Sequence, residues 1–171
     1  VSVLLVGNGG ELAGLVADRM LAQGDEVRAI AVEGDLETLA TRGVHIARGP
    51  FFDADLVERA AQNVRTVVLF DTTEEVVGDV IEGARAARVD RIVRCSTTAQ
   101  EPVRKALRDS GLEYVVLQMP RKGRFRKGVP DGAIAEAIDA ADDMGGRLRL
   151  ELDLNERDAW ETLKVEPPLR A

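Results

Sequence analysis

The chain alternates short apolar runs with longer stretches in which apolar positions return every three or four residues. A short apolar run bounded by turn residues reads as a strand buried on both faces, and the longer spacing reads as a helix with one apolar face. Strands are therefore predicted at 2–6, 26–32, 44–48, 66–70, 91–95, 113–118 and 147–153, and helices at 11–23, 35–42, 53–63, 74–88, 100–110 and 130–143. Turn and cap residues support several of these joints. Gly24-Asp25 stops the first helix, Asp53 and the stretch Asp71 to Thr73 offer N-caps, and Ser110-Gly111 ends the fifth helix. Pro130 followed by Asp131-Gly132 starts the sixth. Residues 154–171, with Pro167 and Pro168, read as a short helical turn and a loose tail behind a domain spanning 1–153.

Strand–helix alternation predicts an α/β fold: a single, doubly wound, Rossmann-type domain whose parallel sheet has helices on both faces. Right-handed crossovers with a reversal at the first strand give the strand order 3-2-1-4-5-6, with a place for a seventh strand at the edge. A length of 171 residues is enough for one such domain and a substantial core. Aromatic residues make up only 4% of the chain, so Val, Leu, Ile and Ala must fill that core. A net charge of −7 argues against general binding to nucleic acid or to an anionic membrane surface. No apolar run approaches the roughly 18 residues of a membrane span. One cysteine and one histidine allow neither an internal disulfide nor a zinc constellation, so no metal site is expected. The expectation is a cytoplasmic protein whose partner is a small molecule, with outer helices on which two copies could pair as a homodimer.

The first strand runs straight into a glycine cluster, and a helix starts inside it: Val3-Leu4-Leu5-Val6-Gly7-Asn8-Gly9-Gly10-Glu11-Leu12. Strand, glycine turn and helix N-terminus form an arrangement that cradles a pyrophosphate. The glycines let backbone approach the oxygens, and unpaired amides together with the helix dipole favour the negative charge. The candidate cofactor-binding residues are Gly7, Asn8, Gly9, Gly10, Glu11 and Leu12, in the spacing Gly7-x-x-Gly10-x-x-Ala13. The same turn read blandly is a tight connection that binds nothing. A carboxylate about 20 residues beyond such glycines hydrogen-bonds the adenosine ribose of NAD. Glu33 stands there and favours NAD over NADP, or else it solvates a turn.

Other candidates lie at the carboxyl ends of later strands, where ligands sit in open parallel sheets. Asp71 and Thr72 follow the fourth strand, and Ser96 and Thr97 follow the fifth. Ser96 and Thr97 are weak catalytic candidates, their plainer role being to cap the fifth helix with their hydroxyls. Asp71 is an acid/base candidate or an N-cap. Cys95 reads as a buried structural thiol, His45 as a core histidine in a buried strand, and Tyr114 as a core phenol. The loop Arg121-Lys122-Gly123-Arg124-Phe125-Arg126-Lys127 holds five cations and reads as a solvated loop or as a basic flap.

Four segments in order, Val3–Gly14, Asp25–Ile30, Ala84–Val93 and Ser110–Leu117, resemble the atypical short-chain dehydrogenase/reductases, most of all the NmrA-like branch. The resemblance implies a Rossmann-type domain that binds NAD(P) in a reductase or in a redox-sensing regulator without activity. The chain departs from the family in places. The branch usually reads Gly-Ala-Thr-Gly where Gly7-Asn8-Gly9-Gly10 stands here. Val32 occupies the place of an arginine for the 2′-phosphate, and Gly49-Pro50 replaces a Gly-Asp pair near the adenine. The tyrosine and lysine that reductases of this type use fall on Ser96 and Gln100, which implies that the Tyr–Lys pair is absent. Two functional expectations follow. One is an NAD(P)-binding sensor or unorthodox oxidoreductase, and the other is a cofactor-free pseudoenzyme that binds a protein partner or another small ligand.

Overall fold

A computed structural model describes residues 2–30, 37–98, 100–120 and 129–168. Its strands are β1 Ser2–Val6, β2 Glu26–Ile30, β3 His45–Ala47, β4 Thr66–Leu69, β5 Arg91–Ser96, β6 Glu113–Gln118 and β7 Arg149–Asp153. Its helices are α1 Gly10–Ala22, α2 Glu37–Thr41, α3 Ala54–Ala60, α4 Glu74–Ala86, α5 Glu101–Asp109, α6 Asp131–Asp143 and α7 Arg157–Leu163. The strands form one seven-stranded sheet in the order β3-β2-β1-β4-β5-β6-β7, and every pairing is parallel. The doubly wound α/β sheet expected from the sequence is therefore present, with β7 as the seventh strand. Its direction reverses between β1 and β4, which opens a crevice at their carboxyl ends.

Alternation along the central strands divides the core in two. Val3, Leu5, Val68, Val93, Val115 and Leu117 face α1, α6 and α7. Leu4, Val6, Val67, Leu69, Ile92 and Val116 face α3, α4 and α5. Because both faces are covered, these strands read as unbroken apolar runs. Asp53 caps α3, its carboxylate accepting the Leu56 N–H at 2.8 Å, and Thr73 caps α4 through the Val76 N–H at 3.3 Å.

Charged side chains fasten α6 to the starts of β4 and β5. Asp142 is buried and accepts hydrogen bonds from Arg65 Nη2 (2.6 Å) and Thr66 Oγ1 (2.5 Å). Arg91 Nη1 donates to the carbonyls of Ala141, Asp142 and Met144 at 2.7–3.0 Å, so a cation closes the helix where its carbonyls are unpaired. Asp139 accepts from Arg19 Nε at 2.7 Å and Gln23 Nε2 at 2.8 Å, which ties α6 to α1.

Three expectations need correction. The helical turn expected after 153 is present as α7, but residues 154–165 are docked rather than loose. Leu154, Ala159, Trp160, Leu163 and Val165 are buried against α6 and the sheet, and the Trp160 indole N–H donates to the Leu154 carbonyl at 3.0 Å. The spacing of these apolar residues was readable, but the two prolines obscured it. His45 is exposed, at the first position of a short edge strand. Neither Asp71 nor Ser96 and Thr97 serve as helix caps: Thr73 caps α4, and Gln100 stands at the N-cap of α5 without a side-chain hydrogen bond. Tyr114 is a core residue as expected, 4% exposed, with the Arg149 guanidinium 5.7 Å from its ring centre.

Two glycines of α4 give a test of the packing. A β-carbon on Gly83 would lie 2.6 Å from Val57 Cβ and 2.7 Å from the Ala54 carbonyl oxygen, whereas one on Gly78 meets open space. Gly83→Ala is expected to destabilise the fold by about 1–3 kcal/mol through overpacking against α3. Gly78→Ala is expected to stabilise it by up to about 1 kcal/mol through helix propensity. Urea unfolding of both variants checks the opposite signs.

Candidate functional site

The glycine turn rests on the end of β4. Gly7 has φ +100°, and a β-carbon there would lie 3.0 Å from the Phe70 carbonyl oxygen and 3.1 Å from that of Asp71. A side chain would push the two segments apart, which explains the glycine. The Phe70 N–H donates to the Val6 carbonyl at 2.9 Å, and the Asn8 N–H donates to the Asp71 carbonyl at 3.0 Å. These bonds extend the β1–β4 pairing into the turn. Gly9 then stands at the N-cap of α1 with no side chain to cap it. The first bond of that helix runs from the Ala13 N–H to the Gly9 carbonyl at 3.3 Å. The N–H groups of Gly10, Glu11 and Leu12 have no backbone acceptor among the described residues.

Beside this helix start, with Gly9 and Leu12 in its lining, is a cleft of about 870 Å³ at the carboxyl edge of the sheet. Asn8, Gly9 and Leu12 form one wall, Phe70, Asp71, Cys95, Thr97 and Thr98 the floor, and Gln118, Met119 and Pro120 with Val129, Asp131 and Ile134 the other wall. Asp71 is the hub of the floor. Its carboxylate accepts hydrogen bonds from Ser96 Oγ (2.8 Å), Thr97 Oγ1 (2.9 Å) and the Thr97 N–H (3.4 Å), and Arg94 Nη2 lies 3.8 Å away. Arg94 also donates from Nη1 to the Phe70 carbonyl and from Nη2 to Gln100 Oε1 at 3.2 Å. Burial holds its guanidinium below the usual arginine range, and the nearby Asp71 carboxylate opposes that shift.

The cleft thus gathers Asn8, Gly9, Leu12, Asp71 and Thr97 from the sequence candidates. Gly7 shapes the turn from behind, and Ser96 is buried against Asp71. Gly10, Glu11 and Thr72 are not among its lining residues, although Gly10 and Glu11 contribute free backbone amides. Glu33 and the basic residues 121–127 lie outside the described residues, while Pro120 and Val129, on either side of that loop, line the cleft. Sequence reasoning missed Phe70, Gln118, Asp131 and Ile134. It also passed over Arg94, although an arginine inside an apolar strand signals a buried partner. Asp139, Asp142 and Asp143 are the acidic grouping among the described residues, and Arg19 and Arg65 already meet much of its charge.

No protein-family profile matches the chain, and no curated protein matches it either. Solved structures do. A quinone oxidoreductase from Escherichia coli, described as NADPH-dependent and called QOR2, superposes with TM-score 0.68 at 18% identity, over 88% of this chain and 66% of that one. A Citrobacter sp. triphenylmethane reductase complexed with NADP(H) superposes with TM-score 0.69 at 17% identity, over 88% and 68%. The chain has a Rossmann-type fold. It spans about two thirds of the length of both proteins, with 66% and 68% covered. The chuY protein of E. coli CFT073 is nearer in size, with TM-score 0.68, 17% identity, and 90% of this chain on 95% of that one. This is the fold that the resemblance to atypical short-chain dehydrogenase/reductases implies. No helix among the described residues is long and apolar enough to cross a membrane.

Cys95 gives this site a chemical test. It is 1% exposed, and burial, with Asp71 nearby, pushes its thiol up to about 12 from 9.0. The protonated thiol is a poor nucleophile. Iodoacetamide at pH 8 is expected to leave Cys95 intact in the native protein and to alkylate it in urea, as read by mass spectrometry. The unfolded thiol ionises first, so this contribution to stability is complete below about pH 9 and is lost as the pH rises toward 12. Cys95→Ala should flatten that alkaline decline.

Proposed function

We propose that the cleft binds a nicotinamide dinucleotide, with the diphosphate on the Gly10, Glu11 and Leu12 amides, and that the protein acts as a dinucleotide sensor or as an oxidoreductase of unorthodox design. The observation that carries this reading is the set of amides without a backbone acceptor among the described residues at the start of a 13-residue helix, beside a cleft of about 870 Å³ that Gly9 and Leu12 line where the strand order reverses. Helix dipole and amide donors there favour an anion. The similar structures, one described as an NADPH-dependent oxidoreductase and one complexed with NADP(H), support it. Glu33 favours NAD over NADP within the same proposal.

The residues present bind and orient rather than supply a proton from a Tyr–Lys pair. Ser96 holds the place of the tyrosine and is bonded to Asp71, and Gln100 holds the place of the lysine and is bonded to Arg94. Tyr114 is buried on β6. The bound nicotinamide would carry hydride chemistry. The apolar wall of Leu12, Phe70, Met119, Val129 and Ile134 would exclude water, and Thr97, Thr98 and Gln118 are the polar groups available to a substrate. A second reading, a scaffold without cofactor, has its own support. The Asn8 amide is already used by the Asp71 carbonyl, and Ser96 and Thr97 turn their hydroxyls to Asp71.

Calorimetry and thermal shift with NAD, NADH, NADP and NADPH distinguish the two readings. A ligand at a hundred times its Kd should stabilise the fold by about 2.7 kcal/mol, or a rise in Tm of roughly 5–10 °C for a domain of this size. No shift with any of the four supports the scaffold. Turnover of the reduced dinucleotides with a panel of quinones and aldehydes then tells an oxidoreductase from a sensor.

A further inference from the structure

β5 carries a charge where a doubly covered sheet calls for an apolar side chain. Arg94 is 1% exposed and in register with Leu69 on β4 and Val116 on β6. A buried guanidinium is costly unless its charge and donors are met. Its Nε has no partner, so the side chain is not placed to satisfy all its own donors. Its other two nitrogens reach toward the ligand end of the sheet, to the Phe70 carbonyl, Gln100 Oε1 and Asp71 Oδ1. Phe70 and Asp71 line the cleft and Arg94 does not, so the cation stands behind the wall. The Asp71 carbonyl in turn holds the Asn8 N–H of the glycine turn.

The charge of the described lining calls for that cation. Among its described lining residues are two carboxylates, Asp71 and Asp131, and no Lys, Arg or His. A bare carboxylate beside a diphosphate repels it appreciably at the effective dielectric of about 20 typical of such sites. We propose that Arg94 is a positioning residue for the dinucleotide: its charge cancels that of Asp71, and its fork fixes the Phe70–Asp71 turn on which the glycine loop rests. An anionic ligand is thereby accepted next to an acidic side chain. This inference rests on the dinucleotide reading above.

The test is calorimetric titration of wild type, Arg94→Met, Arg94→Lys and the double variant Arg94→Met/Asp71→Asn with the four dinucleotides and with inorganic pyrophosphate, each variant checked for fold by circular dichroism. Arg94→Met is expected to weaken binding about tenfold or more, and removing the Asp71 charge in that background should restore it to within about threefold of wild type. Arg94→Lys keeps the charge and loses the fork, so it should bind better than Arg94→Met. A purely structural arginine predicts a double variant at least as weak as Arg94→Met; that result, or wild-type affinity in Arg94→Met, overturns the proposal. If Arg94→Met does not fold, a loss of about tenfold in folded Arg94→Lys overturns the charge argument instead. Wild type that binds pyrophosphate but no dinucleotide defeats the dinucleotide reading and leaves the charge argument to be decided on pyrophosphate. Wild type that binds neither defeats both.

Discussion

The close approach of the glycine turn to the end of β4 is the constraint on which the site depends. Gly7 has no β-carbon, so its backbone lies against the Phe70 and Asp71 carbonyls, and the Asn8 amide is drawn into the sheet. That contact sets where α1 begins and which of its amides stay unpaired. It also brings Asp71 to the cleft floor. A β-carbon at Gly7 would alter the turn, the helix start and the floor together, because the three share one short stretch of backbone.

The fold was legible in the sequence because the signal for a doubly covered parallel sheet is simple. Central strands such as 66–70 and 113–118 are apolar on both faces, and the helices between them repeat at helical spacing. The edges were harder. β3 has three residues and packs on one neighbour, so His45 gives little indication of being exposed. The C-terminal segment mixes Trp160 and Leu163 with many charges and two prolines, and its burial depends on the groove beside α6, which does not exist until the sheet is assembled.

The site was legible in part for a related reason. Its glycine turn is a local feature, with strand, turn and helix contiguous in sequence. The far wall joins Gln118, Met119 and Pro120 at the end of β6 to Val129, Asp131 and Ile134 at the start of α6, and no local pattern marks it. Ser96 and Thr97 illustrate the ambiguity of hydroxyls near a helix start. Their position suited a cap, and the carboxylate of Asp71, just beyond β4 and 25 and 26 residues earlier, claimed them instead. Charge is likewise a long-range matter. The fastening of α6 by Arg19, Arg65 and Arg91 joins elements that are far apart in the chain, so no local pattern marks it.

The docked C-terminal segment has an optical consequence. The protein has a single tryptophan, and it sits in the last helix, its indole N–H bonded and its ring enclosed. Intrinsic fluorescence therefore reports mainly on the docking of this segment, and an emission change that precedes the loss of helical circular dichroism during unfolding would show it peeling away while the sheet remains intact.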